Sequence, residues 1–405
     1  MMKRRDLIKG LTLLPLAGGA LTETAQAAVA STGAAAAKRD LYKELGVRTF
    51  INTRGTITFM TGSLMHDEVV ETIKNTSKSF CMIDELQDKV GAKIAEWTHA
   101  EAATVTSGAF SALMLGMAGV LSGLDARKAA MIPKLEGTGL KTEVIMQKGH
   151  EIGYNAALTN CGVTVIRVDG VEELEKTISS KTALMHFLNA NANDGKIQHE
   201  EWVRIAKKHN IPTMIDMAAD VPPVENLWKF NDMGFDLVCC SGGKAIRGPQ
   251  SSGILMGKKD LIAAARLSAS PRADTIGRGH KVNKEEILGL YVALERFIKT
   301  ADAEWKLWED QIATIDDTVR VLKGVTTRKF VPPFANHVPT LEVKWDPAVV
   351  KLTSQQMTQN LRNGNPSIEI NPGRNSMSIA TFVMIPGEEK IVARRLKEEF
   401  TKAAV

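Results

Sequence analysis

Cysteine is scarce. Cys81, Cys161, Cys239 and Cys240 are the only four in 405 residues, and their spacing fits neither a disulfide framework nor a zinc site. Adjacent Cys239 and Cys240 lie in an apolar run and read as small core residues. The eight histidines show no ligand spacing, so no metal is expected. Charge of one sign is also scarce. The net charge is +5, and no long basic run follows residue 10. That excludes the electrostatic footprint of a nucleic-acid binder. No apolar run is long and unbroken enough for a membrane-spanning helix. A Gly-x-Ser-x-Gly elbow, a Gly-x-Gly-x-x-Gly fingerprint and a His-Glu-x-x-His motif are all missing, which argues against a hydrolase, a dinucleotide binder and a zinc protease. There is no internal repeat.

What is present is ordinary globular composition, 44% apolar and 24% charged, which suffices for a large domain and a smaller one. Lys3-Arg4-Arg5-Asp6-Leu7-Ile8-Lys9 has the pattern of a twin-arginine export signal. A weakly apolar stretch follows to Leu21, then two Ala-x-Ala cleavage patterns, Ala25–Ala27 and Ala28–Ala30. Residues 1–30 therefore read as a signal peptide. The expected destination is the periplasm or the exterior, with no stable membrane association after cleavage. The bland alternatives are a disordered basic tail or an uncleaved anchor. Residues 31–64 read as an arm, 65–300 as the large domain and 301–405 as the small one. Short β-branched runs end near Thr106, Gln147, Val168, Leu188, Asp216, Cys240 and Met256, with helical stretches between most of them. That alternation predicts an α/β fold with a mostly parallel sheet covered on both faces. Two helices, 285–299 and 303–322, lead into a smaller α+β part with strands near 340–344 and 376–381 and a terminal helix from Glu388.

Three short segments carry chemistry. Ser241-Gly242-Gly243-Lys244 follows the strand that ends at Cys240. Two glycines allow a sharp turn, and a lysine there is presented to the crevice where open α/β sheets bind ligands. Such an amine can condense with a cofactor aldehyde. The alternatives are a surface lysine and a Walker phosphate loop. The latter fails because Val238 stands where a glycine is required and Ala245 follows the lysine. Asp216 ends the apolar run from Ile211, and a carboxylate there needs a partner, for which a protonated pyridine nitrogen is suited. The alternative is a helix cap. Ser107-Gly108-Ala109, between a strand and a helix, suits a phosphate, or is a simple Ser cap. The order phosphate loop, Asp, Lys points to pyridoxal 5′-phosphate (PLP).

Asp216 to Pro223 and Ser241 to Gly253 resemble the selenocysteine synthase / D-glucosaminate-6-phosphate ammonia-lyase group of fold-type I PLP enzymes. Ile51 to Thr56, Glu85-Leu86-Gln87 and Gly277 to Val282 extend the resemblance. It implies an aspartate aminotransferase-like fold, at least a homodimer, and a Schiff base on Lys244. It pairs Asp216 with the pyridine nitrogen and gives the phosphate to Ser107, Gly108, Ala109 and Ser241. It makes Gln87 a cofactor contact and Arg278 and Arg374 candidates for a substrate carboxylate. His150 either stacks on the pyridine ring or is a solvated histidine at a helix start. No basic arm supports a tRNA substrate, and Gly248-Pro249-Gln250-Ser251-Ser252-Gly253 is closer to the ammonia-lyase branch. The expected function is a lyase acting on an amino acid or amino-sugar acid by α-proton abstraction and β-elimination. Racemase, aldolase or aminotransferase chemistry, or a non-catalytic exported binding protein, are the alternatives.

Overall fold

The computed structural model describes residues 39–405, so the export segment lies outside the described residues. Residues 39–49 belong to a unit of their own. It holds the short helix Leu41–Glu44, whose first turn is capped by the Asp40 side chain. Phe50–Val405 forms the second unit.

The strands are β1 (Ile51–Asn52), β2 (Ala102–Thr106), β3 (Glu143–Gln147), β4 (Thr164–Val168), β5 (Thr182–Leu188), β6 (Thr213–Asp216), β7 (Leu237–Ser241), β8 (Gly253–Gly257), β9 (Val325–Phe330), β10 (Thr340–Trp345), β11 (Ile368–Glu369), β12 (Asn371–Gly373) and β13 (Ser376–Ala380). A seven-stranded sheet runs β2-β8-β7-β6-β5-β3-β4. Strands β3 to β7 are parallel, and β8 lies antiparallel between β2 and β7. Every residue of β5 and β6 is buried. That is why these strands read as continuous apolar runs: helices cover both faces, so neither face can be polar.

On one face the helix Ala109–Ser122 is buried almost all round, with Leu113, Met114 and Met117 packing in one core with Met214, Leu237 and Leu255. On the other, Trp202, Phe187 and Phe230 anchor the larger core. Each such aromatic removed to Ala would cost about 3–5 kcal/mol. Cys161, Cys239 and Cys240 are free and buried, as core residues should be.

A second, antiparallel sheet runs β12-β13-β10-β9, and β1 pairs with β11 in parallel. The helix Lys284–Val319 is continuous where two helices are expected. Thr300-Ala301-Asp302 contains neither Gly nor Pro, and the Thr300 hydroxyl turns back onto the Arg296 carbonyl at 3.0 Å. Nothing local stops the helix. Among the described residues no helix is long and apolar enough to cross a membrane.

Candidate active site

The site is built by one strand running the wrong way. Because β8 is antiparallel to both neighbours, Gly253 at its start stands opposite Thr106 at the end of β2 and Ser241 at the end of β7. Two strand spacings, about 10 Å, thus separate the turn after β2 from the turn after β7. In the parallel part, Asp216 stands opposite Cys239, so its carboxylate belongs to the same edge. Ser107, Gly108, Ala109, Asp216, Ser241 and Lys244 are brought together by register alone.

Gly108 begins the helix Ala109–Ser122 with φ +90°, a conformation open to glycine, and no side chain caps the helix. Its first amides, with the Ser107 hydroxyl beside them, offer an anion seat backed by the helix dipole. A Cβ on Gly253 would lie 2.5 Å from the Gly108 carbonyl carbon and 2.7 Å from the Ala109 nitrogen. Gly253 is therefore what lets this turn sit against β8.

Lys244 sits in a closed turn. Gly242 N–H donates to the Ser252 carbonyl, Gly248 N–H to the Gly242 carbonyl and Arg247 N–H to the Lys244 carbonyl, each at 2.9 Å. Arg247 ties the turn to Leu64 through Nε, which donates to the Leu64 carbonyl at 2.6 Å. Among the described residues the half-buried Lys244 Nζ has no hydrogen-bond or ion-pair partner. Burial lowers its pKa, and the charges of Asp216, Cys240 and Asp220 pull the other way. A depressed amine is the nucleophile that covalent cofactor capture needs.

Asp216 is buried, and its Oδ1 accepts one hydrogen bond, from Ala218 N–H at 2.9 Å. Burial raises its pKa, opposed by the Ala218 N–H and the Lys244 charge and reinforced by Asp220. A buried carboxylate with one backbone donor and no cation in contact fits a pyridinium nitrogen. The anion seat, this carboxylate and the free amine therefore match the three polar ends of PLP.

Two expected site residues are placed differently. Gln87, on the helix Ile83–Trp97, turns its amide onto β2. Nε2 donates to the Val105 carbonyl at 2.8 Å, while Oε1 accepts from Thr104 Oγ1 at 2.9 Å and Val105 N–H at 3.0 Å. β2 is an edge strand, and Gln87 stands in for the neighbour it lacks. It clamps β2 and keeps one amide N–H uncommitted. Gln87→Leu is expected to lower the unfolding free energy by about 2–4 kcal/mol, because it leaves buried backbone groups unpaired. The visible spectrum of the PLP-loaded protein should not change. Urea unfolding and absorbance check the two halves.

His150 is the other correction. It is fully buried, with Nδ1 accepting from Leu188 N–H at 3.2 Å and the ring edge-on to Phe187 at 4.5 Å. Burial pushes its pKa down to about 4, so it is neutral near pH 7. A ring with no exposed atom cannot stack on a ligand in the crevice, and it is not a solvated helix-start residue either.

Arg278 lies half-buried in the loop after the helix Lys259–Leu267, and Arg374 is exposed in the turn between β12 and β13. No hydrogen bond or ion pair among the described residues joins either to Lys244 or Asp216. Two site residues escaped the sequence reading. Asn189 directly follows Leu188, the register partner of Asp216, and its Oδ1 accepts from His199 Nε2 at 2.8 Å. Asp220 is a second buried carboxylate, in the loop that follows Asp216 at the end of β6. The one signal for it was an acid in an otherwise apolar Ala-Ala-Asp-Val-Pro-Pro run.

A lysine, a carboxylate and an anion seat on one edge of a mostly parallel sheet define a fold-type I PLP-dependent enzyme. The chain belongs to the aminotransferase class-V family, whose model matches residues 66–273. It is similar to a D-glucosaminate-6-phosphate ammonia lyase of Salmonella typhimurium, 25% identical over 381 residues, covering 90% of this chain and 99% of that one. It is also similar to an L-seryl-tRNA(Sec) selenium transferase of Aquifex aeolicus, 23% identical, covering 80% of this chain and 77% of the other. Among solved structures, a D-glucosaminate-6-phosphate ammonia-lyase superposes with a TM-score of 0.79 at 24% identity, covering 91% of this chain and 100% of that chain. An aspartate aminotransferase of Thermus thermophilus superposes at 0.54 with 11% identity, covering 87% of this chain and 99% of that one.

Proposed function

We propose that the protein is a PLP-dependent lyase that removes the α-proton of an amino acid or amino-sugar acid, expels a group from the β-carbon, and releases ammonia and a keto acid. The observation that carries this is the free Lys244 amine beside buried Asp216, in a chain similar along nearly its whole length to an ammonia lyase. When bound, PLP supplies a sink for the electron pair left by the broken Cα–H bond.

The chain's own residues do the rest. Ser107 and the first amides of the helix Ala109–Ser122 hold the phosphate. Asp216 keeps a proton on the ring nitrogen, because its own burial makes a cationic partner favourable. Lys244 Nζ, once free, takes the α-proton as general base and can return it to a departing hydroxyl as general acid. Burial lowers its pKa, which favours the unprotonated amine that a base needs. The closed turn 242–252 holds that nitrogen in place.

The test is a panel of D- and L-amino acids and amino-sugar acids given to the PLP-loaded protein. Ammonia and keto acid should appear in equal amounts from at least one member. Ammonia from none, or keto acid without ammonia, sinks the reading. The proposal includes export through the twin-arginine route, supported by the Arg4-Arg5 pattern, and a homodimer. Cell fractionation of wild type against Arg4→Lys/Arg5→Lys, and sedimentation of the loaded protein, check these in turn.

A further inference from the structure

We infer that Arg54 is the receptor for the substrate's carboxylate. The inference rests on the lyase reading for an amino-acid substrate and adds the residue that holds its acid group.

Arg54 lies in the segment that runs from β1 to the lysine turn. Thr53, before it, is tied to the small domain. Its N–H and hydroxyl donate to the Glu369 carbonyl at 3.1 and 2.9 Å, and its carbonyl accepts from Ala380 N–H at 2.9 Å. The Asn52 side chain accepts from Arg54 N–H at 2.9 Å and from Gly55 N–H at 3.3 Å, a local turn that fixes the backbone of residue 54. Beyond it the segment meets the cofactor edge three times. The Thr56 hydroxyl donates to Asn336 Oδ1 at 3.2 Å, and Asn336 N–H donates to the Ala219 carbonyl, in the loop after Asp216. A Cβ on Gly55 would lie 3.4 Å from the Phe382 ring, which shares an apolar cluster with Ala245, the neighbour of Lys244. Ser63 Oγ donates to the Gly243 carbonyl at 3.2 Å. Arg54 thus stands at the seam between the small domain and the edge that carries Lys244 and Asp216.

Its guanidinium has no counter-charge. Among the described residues, Arg54, Arg296 and Arg395 each have a buried Nε without a hydrogen-bond partner. Arg296 meets Glu68 and Glu304, and Arg395 meets Glu398 and Glu399. Arg54 alone of the three makes no ion pair among the described residues. Arg247, the arginine of the lysine turn, is already answered by the Leu64 carbonyl and the charge of Glu304. A cation with one side withdrawn from water and no acid beside it is costly, and an arriving anion removes that cost. The Phe59 ring lies against the Arg54 guanidinium, 5.9 Å from ring centroid to its carbon. With the ring on one face, an anion approaches in the plane of the guanidinium. That is how arginine binds a carboxylate, through two parallel N–H donors.

In the experiment the PLP-loaded protein is titrated with glycine and with glycinamide, achiral amines that differ by one carboxylate. Visible absorbance follows their capture by the cofactor. Arg54→Gln should reduce the preference for glycine over glycinamide by at least about tenfold, and Arg54→Lys should restore part of it. The different basicities of the two amines cancel in the comparison with wild type. A thermal melt of the cofactor-free protein gives a second readout. Arg54→Gln should melt at or above the wild-type temperature, because an unpaired charge is removed. An unchanged preference in Arg54→Gln overturns the inference. So does a lost preference that comes with a lower melting temperature and is not restored by lysine, since Arg54 would then serve the fold. The two readings fail separately. Ammonia release with a preference independent of Arg54 removes the receptor and keeps the lyase. A preference that depends on Arg54, with no ammonia from any amine, removes the lyase and keeps the receptor.

Discussion

Lys244→Ala should lose the visible absorption of the bound cofactor and at least about 10³-fold of ammonia release. Two functions depend on the same nitrogen. In the proposed reaction Nζ is both the amine that captures the cofactor and the base. Nothing nearby can replace it. The other titratable groups around it are the carboxyls Asp216 and Asp220 and the thiol of Cys240, which burial pushes up to about 12. None of these condenses with an aldehyde to an imine. Borohydride reduction should fix one cofactor on each wild-type chain and none on the variant. The fold should survive, because an unpaired amine pushed down by burial contributes little to stability. An unchanged melting temperature with lost absorbance is the expected pair of results. Retained activity would remove Lys244 from the mechanism altogether.

Asp216→Asn should keep the cofactor and lose about 10²–10³-fold in kcat, the range expected when one preorganised electrostatic partner is removed. Asparagine can still accept from Ala218 N–H, so the turn after β6 keeps its hydrogen bond. It cannot balance a protonated ring nitrogen, so the electron sink weakens. The apoprotein should be as stable as wild type or more so, because a buried carboxylate with a raised pKa is replaced by a neutral amide. Steady-state kinetics, the absorbance of the loaded variant and a thermal melt of the cofactor-free form check the three statements. A fall in stability matching the fall in activity would mean that Asp216 serves the fold instead.

These two residues were legible in the sequence because each carries a local signal. Lys244 follows two glycines at the end of an apolar run, and Asp216 ends another. The large-sheet strands were legible for a related reason: both faces are covered, so each is a short uninterrupted apolar stretch between helices. Gln87 and His150 were misplaced because their surroundings are non-local. Gln87 is a polar residue in a helix until β2 is found lying bare beside it. His150 follows a strand end like a site residue, and only the packing of Phe187 and the N–H of Leu188 show that it is closed in. The break expected between residues 299 and 303 failed for want of any residue that stops a helix.

Lys244 and its acidic partner, the glycine turn that presents the lysine and the alternating strand–helix order were thus determined by the sequence alone, since each depends on neighbours along the chain. The tertiary structure decided what depends on neighbours across it. Strand order is set by pairing between distant segments, and the antiparallel β8 is what brings the Ser107 turn within two strands of Lys244. The burial of Asp220 is likewise decided across the chain, where Ala335 N–H reaches its Oδ1 from the segment between β9 and β10.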